Sequence, residues 1–234
     1  MIGGFIITGT APKTIIVNAI GPSLPVPGAL ADPTLTLYDI NGVEIATNDD
    51  WMTNSNMQAI IDSKVGPTNP KESALLLSLK PSSYTAIVSG KGGTTGVGLL
   101  AAYDLESGSA SNIANISTRG FVQTADDVMI AGVIITGEGG ANVVIRAIGP
   151  SLPLANALLD PTLELYNSAG VLMFSNDNWM DTQKDAIQAT GLAPTNPLES
   201  AILTDLAPGE YTAIVRGVNG TTGNALVEVY RLTQ

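Results

Sequence analysis

Short segments of the chain alternate polar and apolar residues and are rich in β-branched side chains. Thr162-Leu-Glu-Leu-Tyr166 alternates strictly, which predicts that Leu163 and Leu165 face a core. Tyr84-Thr-Ala-Ile-Val-Ser89 and its near copy at 211–216 are short and bounded by glycine and proline. This pattern is typical of β-strands.

The same pattern predicts further strands in the second half of the chain, at 117–123, 129–136, 142–148, 200–205 and 224–232. Asn41-Gly42 and Ala169-Gly170 are turn sequences that predict hairpins. Only 182–189 and 55–63 are predicted to be briefly helical. The fold class is therefore all-β, with two tandem antiparallel β-sandwich (jelly-roll-like) domains.

The two domains follow from an internal repeat of about 128 residues. Residues 1–25 match 129–153 at 14 of 25 positions without a gap, and 67–96 match 194–223 at 20 of 30 positions. A small, polar stretch near Glu106-Ser-Gly-Ser-Ala-Ser111 separates the copies and is typical of a flexible linker. We predict a first sandwich at 1–105, a linker at 106–114 and a second sandwich at 115–234.

The copies are not in the same phase. Met1 aligns with Met129, and copy 2 is preceded by Asn115-Ile-Ser-Thr-Arg-Gly-Phe-Val-Gln-Thr124, which has no counterpart in copy 1. If that segment is a strand, copy 1 lacks its first strand and exposes an unpaired edge or groove. Two explanations stay open: copy 1 is completed by a neighbouring chain, or these residues are a piece of a longer repeat protein.

Charge and composition remove several function classes. The net charge is −11, from 21 acidic and 10 basic residues, which disfavours nucleic acids and anionic membranes as partners. The chain has no cysteine and no histidine, so disulfides, thiolate nucleophiles and the commonest general base are absent. No apolar run approaches the roughly 18 residues of a membrane span.

No residue pattern indicates an enzyme. Ser23 and Ser151 lie in Gly-Pro-Ser-Leu-Pro motifs, which do not match a nucleophile elbow, and the chain has no histidine to activate them. Paired carboxylates, among them Glu72 and Glu199, would need to face each other across a cleft to act as a glycosidase. We therefore predict that the chain has no catalytic residue.

Two kinds of binding residue are candidates. Asp49, Asp50 and Asp177 lie in Asn-Asp-Asp/Asn-Trp loops and could offer oxygen ligands to Ca²⁺, although the alternative is an Asx-type turn. Trp51 and Trp179 could stack on a sugar, although packing of the loop explains them as well. We therefore predict no cofactor, with Ca²⁺ as the alternative.

Within each copy, the order Asp-Pro-Thr-Leu-x-Leu-Tyr, Asn-Asp-Asp/Asn-Trp, Glu-Ser-Ala and Pro-x-x-Tyr-Thr-Ala-Ile-Val resembles the bacterial pre-peptidase C-terminal domain. It is still more similar to a tandem β-sandwich repeat of large secreted proteins of environmental bacteria. The resemblance implies export, an extracellular or cell-surface location and a non-catalytic role. It supplies no catalytic residue.

These observations favour a structural protein that is a subunit of a bacterial surface filament or layer. Its copies would assemble head to tail by strand or edge complementation. The donor would be the C-terminal strand 225–233 or the region 106–124. The residues predicted to take part in assembly are Met1, Ile2, Phe5, Phe121, Val122, Val227 and Val229. The alternative is a polysaccharide-binding or adhesion module of a secreted hydrolase, with a glycan as partner.

Overall fold

The computed structural model describes residues 1–106, 108–125 and 127–232, and nearly all of their regular structure is antiparallel β-sheet. The all-β prediction is confirmed. The chain divides into two compact units, Met1–Ala114 and Asn115–Gln234, named unit 1 and unit 2 below.

Among its described residues, unit 1 contains seven complete strands, one short α-helix and two 3-10 helices, at Trp51–Thr53 and Lys91–Gly93. The strands and the helix are β1 (Ile2–Gly9), β2 (Lys13–Ile20), β3 (Pro33–Tyr38), β4 (Glu44–Asn48), α1 (Met57–Asp62), β5 (Ser73–Leu79), β6 (Ser82–Gly90) and β7 (Leu99–Asp104). One sheet of the unit has the order β4-β3-β6-β1, and the other has the order β5-β2-β7.

The two sheets of unit 1 pack face to face around one apolar core. Their alternate residues point inward, as strand geometry requires, so that β3 contributes Leu35 and Leu37 while β2 contributes Ile15 and Val17. Phe5 of β1 stacks on Tyr84 of β6 with ring centroids 5.4 Å apart. This arrangement is a β-sandwich.

Unit 2 repeats this arrangement and adds a strand. Its elements are β8 (Ser111–Val122, whose first four residues belong to unit 1), β9 (Met129–Ile135), β10 (Ala141–Ile148), β11 (Pro161–Asn167), β12 (Leu172–Asn176), α2 (Lys184–Ala189), β13 (Ser200–Leu206), β14 (Gly209–Gly217), a 3-10 helix (Val218–Gly220) and β15 (Gly223–Arg231). Its sheets are ordered β12-β11-β14-β9 and β13-β10-β15-β8.

The strand registers of the two units correspond residue for residue. Ile15 lies opposite Asp104 in unit 1, and the aligned residues Val143 and Arg231 lie opposite each other in unit 2. The predicted hairpin turns also form: Gly42 and Gly170 adopt φ values of 76° and 71°, a left-handed conformation that favours glycine. The repeat in the sequence is therefore a repeat of the fold.

The linker predicted at 106–114 is wrong for its last four residues, 111–114, which form the start of β8. Lys13 is buried, and its Nζ donates to Glu106 O (3.0 Å), Ser109 Oγ (2.8 Å) and Ser111 O (2.8 Å). Residues from Ser111 onward are already part of β8. A small, polar composition allows flexibility, but here a buried lysine needs those oxygens as partners. Ser107 of the predicted linker and Thr233 of the predicted donor strand lie outside the described residues.

Candidate functional site

The Gly-Pro-Ser-Leu-Pro loops are held by buried glutamates. Glu72 is fully buried, and its Oε1 accepts hydrogen bonds from Gly21 N (3.1 Å), Ser23 N (2.9 Å) and Ser23 Oγ (2.6 Å), while its Oε2 accepts one from Asn69 N (3.2 Å). These contacts use both oxygens of the carboxylate. The serine and the glutamate that could have suggested catalysis therefore form a structural latch.

Unit 2 contains the same latch. Glu199 is also fully buried and accepts from Gly149 N (3.1 Å), Ser151 N (3.0 Å), Ser151 Oγ (2.5 Å) and Asn196 N (3.3 Å). Neither glutamate faces a second carboxylate in these contacts, so the arrangement that a glycosidase requires is not built from them.

The tryptophans lie beside these latches and point into the protein. Trp51 is 6% exposed and Trp179 is 2% exposed. Their Nε1 atoms donate to the backbone oxygens of Asn69 (3.0 Å) and Asn196 (3.1 Å). A ring buried in this way offers no face to a sugar, so the sugar-stacking interpretation is corrected to packing.

The Glu-Ser-Ala motif also fixes the loop that carries the aspartates. Ser73 Oγ contacts the carbonyl oxygens of Pro33 (2.6 Å), Asn48 (3.0 Å) and Asp49 (2.6 Å), and Asn48 Oδ1 accepts from Ala74 N (2.9 Å). Three motifs that are separate in the sequence are therefore one polar network. This network sets the position of the aspartate carboxylates.

In unit 1, three carboxylates come together. One oxygen from each of Asp32, Asp49 and Asp50 lies within 4.8 Å of the others, although sequence reasoning missed Asp32. Its signal was the Asp-Pro-Thr-Leu motif that both copies share. Lys91 Nζ lies 2.5 Å from Asp49 Oδ2 and 4.0 Å from Asp32 Oδ2, and the hydrogen bond to Asp49 raises the pKa of Lys91. A lysine thus already supplies a positive charge there.

In unit 2 the position of Lys91 is taken by Val218. Burial raises the pKa of Asp160, the counterpart of Asp32, and the nearby Asp177 carboxylate raises it further. Oδ1 of Asp160 and Oδ1 of Asn178 are buried and have no hydrogen-bond partner. Calcium binding by Asp49 and Asp50, or by Asp177, stays a prediction, and in unit 1 the ion would have to compete with Lys91.

No protein-family model matches the sequence, and the search of curated proteins found no relative. Among solved structures, one described as the STIV MCP aligns with 97% of this chain and 90% of its own, at 12% identity and a TM-score of 0.28. A chain from the Sulfolobus turreted icosahedral virus aligns with 97% of this chain and 85% of its own, at 12% identity and a TM-score of 0.29. The VP2 subviral particle of infectious bursal disease virus aligns with 98% of this chain and 68% of its own, at 8% identity and a TM-score of 0.20. With TM-scores this far below 0.5, these structures carry no argument about the role of the chain.

The units differ at one sheet edge. In unit 2, β15 is paired on both sides, with β10 and with β8, in a register that places Val122 opposite Gly223 and Asn115 opposite Tyr230. In unit 1, the equivalent strand β7 pairs with β2, and among the described residues no strand of the unit lies on its other side. Unit 1 thus has an open edge where unit 2 has a covered one.

The residues predicted for assembly lie in different environments. Phe5 is 3% exposed, and Val122, Val227 and Val229 are at most 9% exposed, so these four are core residues of their own units and cannot be surface contacts. Strand β15, which contains Val227 and Val229, is central in its sheet, so the C-terminal strand is not free for donation.

Three of the assembly residues lie nearer the surface. Phe121 is 51% exposed and Met1 is 40% exposed, while Ile2 is half-buried. The amino group of Met1 donates to Val88 O at 3.0 Å, which extends the pairing of β1 with β6 by one residue.

A groove of about 600 Å³ lies beside β4 and β5. Its lining is made of threonine, asparagine, serine, leucine and alanine residues together with Asp49, and it contains no aromatic side chain.

Among the described residues, no helix is long and apolar enough to cross a membrane.

Proposed function

We propose that the chain is a non-catalytic structural protein whose copies associate with one another head to tail through the edges of their sheets. A surface filament or layer outside a bacterial cell is the assembly that we infer. The Cys-free, acidic composition and the resemblance to secreted tandem repeats support that location.

The observation that carries the proposal is the open edge of β7. Its inward-facing residues Leu100 and Ala102 are only half-buried, whereas their counterparts Val227 and Val229, under the cover of β8, are 1% and 9% exposed. A further strand on this edge would gain backbone hydrogen bonds and would cover apolar surface at the same time.

The edge also lacks the features that normally prevent association. Protected edges carry lysine, proline, a bulge or inward-pointing charges. Strand β7 reads Leu-Leu-Ala-Ala-Tyr-Asp, its only charge lies at its last residue, and Leu99 is 44% exposed. Such an edge is a template for pairing with another chain.

The alternative, a glycan-binding module, has lost its best support because both tryptophans are buried and the groove beside β4 and β5 has no aromatic lining. An enzyme lacks support as well, since the Ser23 and Glu72 contacts are those of a latch.

Sedimentation velocity of the purified chain at increasing protein concentration, followed by negative-stain microscopy, tests the proposal. We expect a series of larger species and linear particles. Because each chain carries a net charge of −11, added salt should screen the repulsion and promote association. A folded chain that stays monomeric at every protein and salt concentration would refute the proposal.

A further inference from the structure

We infer that the partner of the β7 edge is the outer edge of β9 in unit 2 of a second copy of this chain. The inference rests on the proposed function and names the two surfaces that meet. Both surfaces are strand edges that lie open among the described residues, and each belongs to a different unit.

Strand β9 is the last strand of the sheet β12-β11-β14-β9 and pairs only with β14 among the described strands. It reads Met-Ile-Ala-Gly-Val-Ile-Ile and carries no charge. Ile130 and Ile134 are 55% and 59% exposed, so apolar surface flanks the free backbone groups. Natural sheets rarely leave an uncharged apolar edge of this length open to water.

The counterpart of β9 in unit 1 is less exposed. Ile2 and Ile6 of β1, which align with Ile130 and Ile134, are half-buried. The chain from Ala110 also lies against the end of β1: Thr10 N donates to Ala110 O at 3.3 Å, and a Cβ on Gly9 would lie 2.2 Å from the same oxygen.

Each kind of edge is therefore covered in one unit and open in the other. The β7 kind is open in unit 1 and covered in unit 2, while the β9 kind is open in unit 2 and flanked by chain in unit 1. A contact between the two open edges joins different surfaces of identical chains, so it continues from chain to chain unless rotation closes a ring.

Other donors would lose contacts that they already have. Strand β15 would give up its ladders with both β10 and β8. Strand β8 would leave β15 uncovered, so its transfer to β7 would exchange one ladder for another without a gain. Pairing β9 with β7 breaks no ladder of the described strands.

Edge-blocked variants test the inference. Leu99→Lys with Ala101→Lys blocks the β7 edge, and the fold should tolerate the second lysine because Ala101 is only half-buried and a long side chain can place its amino group in water. Ile130→Lys with Ile134→Lys blocks the β9 edge at two exposed side chains. Ile40→Lys with Val43→Lys, at the exposed β3–β4 turn, adds the same charge away from both edges and serves as the control.

We expect the control to assemble like the unmodified chain and each edge-blocked variant to stay monomeric. Mixing the two edge-blocked variants should restore a single contact and give a one-to-one heterodimer that does not grow, as read by sedimentation velocity. Circular dichroism and tryptophan fluorescence establish that each variant is folded.

Three results would overturn the inference. If the β9-blocked variant assembles like the control, the β7 edge meets another surface, and the proposed function stands without this partner. If the β7-blocked variant forms dimers alone, β9 edges pair with each other. If the unmodified chain never assembles, the proposed function fails and this inference fails with it.

Discussion

Removal of the buried carboxylate of Glu72 is predicted to lower the stability of unit 1. Replacing Glu72 by alanine removes the acceptor of four hydrogen bonds. The N–H of Gly21 is buried and loses its partner completely, whereas Ser23 and Asn69 are exposed enough to be reached by water. An unpaired buried donor costs about 1–3 kcal/mol, and the remaining lost bonds add to this, so we expect unit 1 to lose about 3 kcal/mol.

Two milder variants separate the contributions. Glu72→Gln keeps an oxygen for Gly21 and Ser23 but turns an amide N–H toward the N–H of Asn69, and it should cost about 1–2 kcal/mol. Ser23→Ala removes one hydroxyl group and should cost about 1 kcal/mol or less. We therefore expect Glu72→Ala to destabilise unit 1 the most, Glu72→Gln less, and Ser23→Ala the least.

Urea unfolding followed by tryptophan fluorescence can assign the effect to one unit. The chain has two tryptophans, Trp51 in unit 1 and Trp179 in unit 2. In a Trp179→Phe background the signal reports on unit 1, and in a Trp51→Phe background it reports on unit 2. Glu199→Ala is the matched control, because it should shift the Trp179 transition only. A Glu72→Ala variant that leaves the unit 1 transition within about 1 kcal/mol of its parent would refute the latch.

Three further predictions concern single side chains. Lys13→Met leaves the oxygens around this buried lysine and the Asp104 carboxylate, 2.9 Å away, without their cation, and should lower the stability of unit 1 by about 3 kcal/mol in urea unfolding. Trp179→Ala should cost unit 2 about 3–5 kcal/mol, as read by circular dichroism, because the ring is 2% exposed. The raised pKa of Asp160 stabilises unit 2 below the unfolded pKa, and this contribution is lost as pH rises through the folded pKa. Asp160→Asn should therefore raise the melting temperature of unit 2 at neutral pH and flatten its dependence on pH between acid and neutral solution.

The strands were predictable because successive side chains of a strand point to opposite faces of the sheet, so that polar and apolar residues alternate along the sequence. The predicted strands 142–148, 200–205 and 224–232 occur as β10, β13 and β15 with bounds that differ by one residue. The predicted helices were longer than α1 and α2, which have six residues each. Short helix ends depend on how the loop packs on the sheet, and local sequence does not encode that packing.

The polar network was harder to foresee because it joins residues that are far apart in the chain. Glu72 lies 49 residues from Ser23, and Lys13 lies 98 residues from Ser111. The sequence showed these residues only as repeated motifs or as parts of a polar stretch. Sequence reasoning also assigned Phe5 and Val227 to assembly, because it located a strand of unit 2 that has no counterpart among the described residues of unit 1, but not which side chains of the neighbouring strands face inward.

Comparison of the two copies separates what holds the fold from what distinguishes the units. The glutamate latch and the buried tryptophan are the same in both. One difference lies on the sheet that contains the open edge: unit 2 carries an ion pair between Arg146 and Glu228, where unit 1 has Asn18 and Ala101. A charged pair at 16% and 10% exposure suits a strand that is already covered on both sides, because buried charges require fixed partners. The uncharged Ala101 suits a strand that another chain must approach, since the approach then removes no charge from water at this position. The sequence difference and the edge difference therefore support the same reading, in which unit 1 provides the accepting end of the chain.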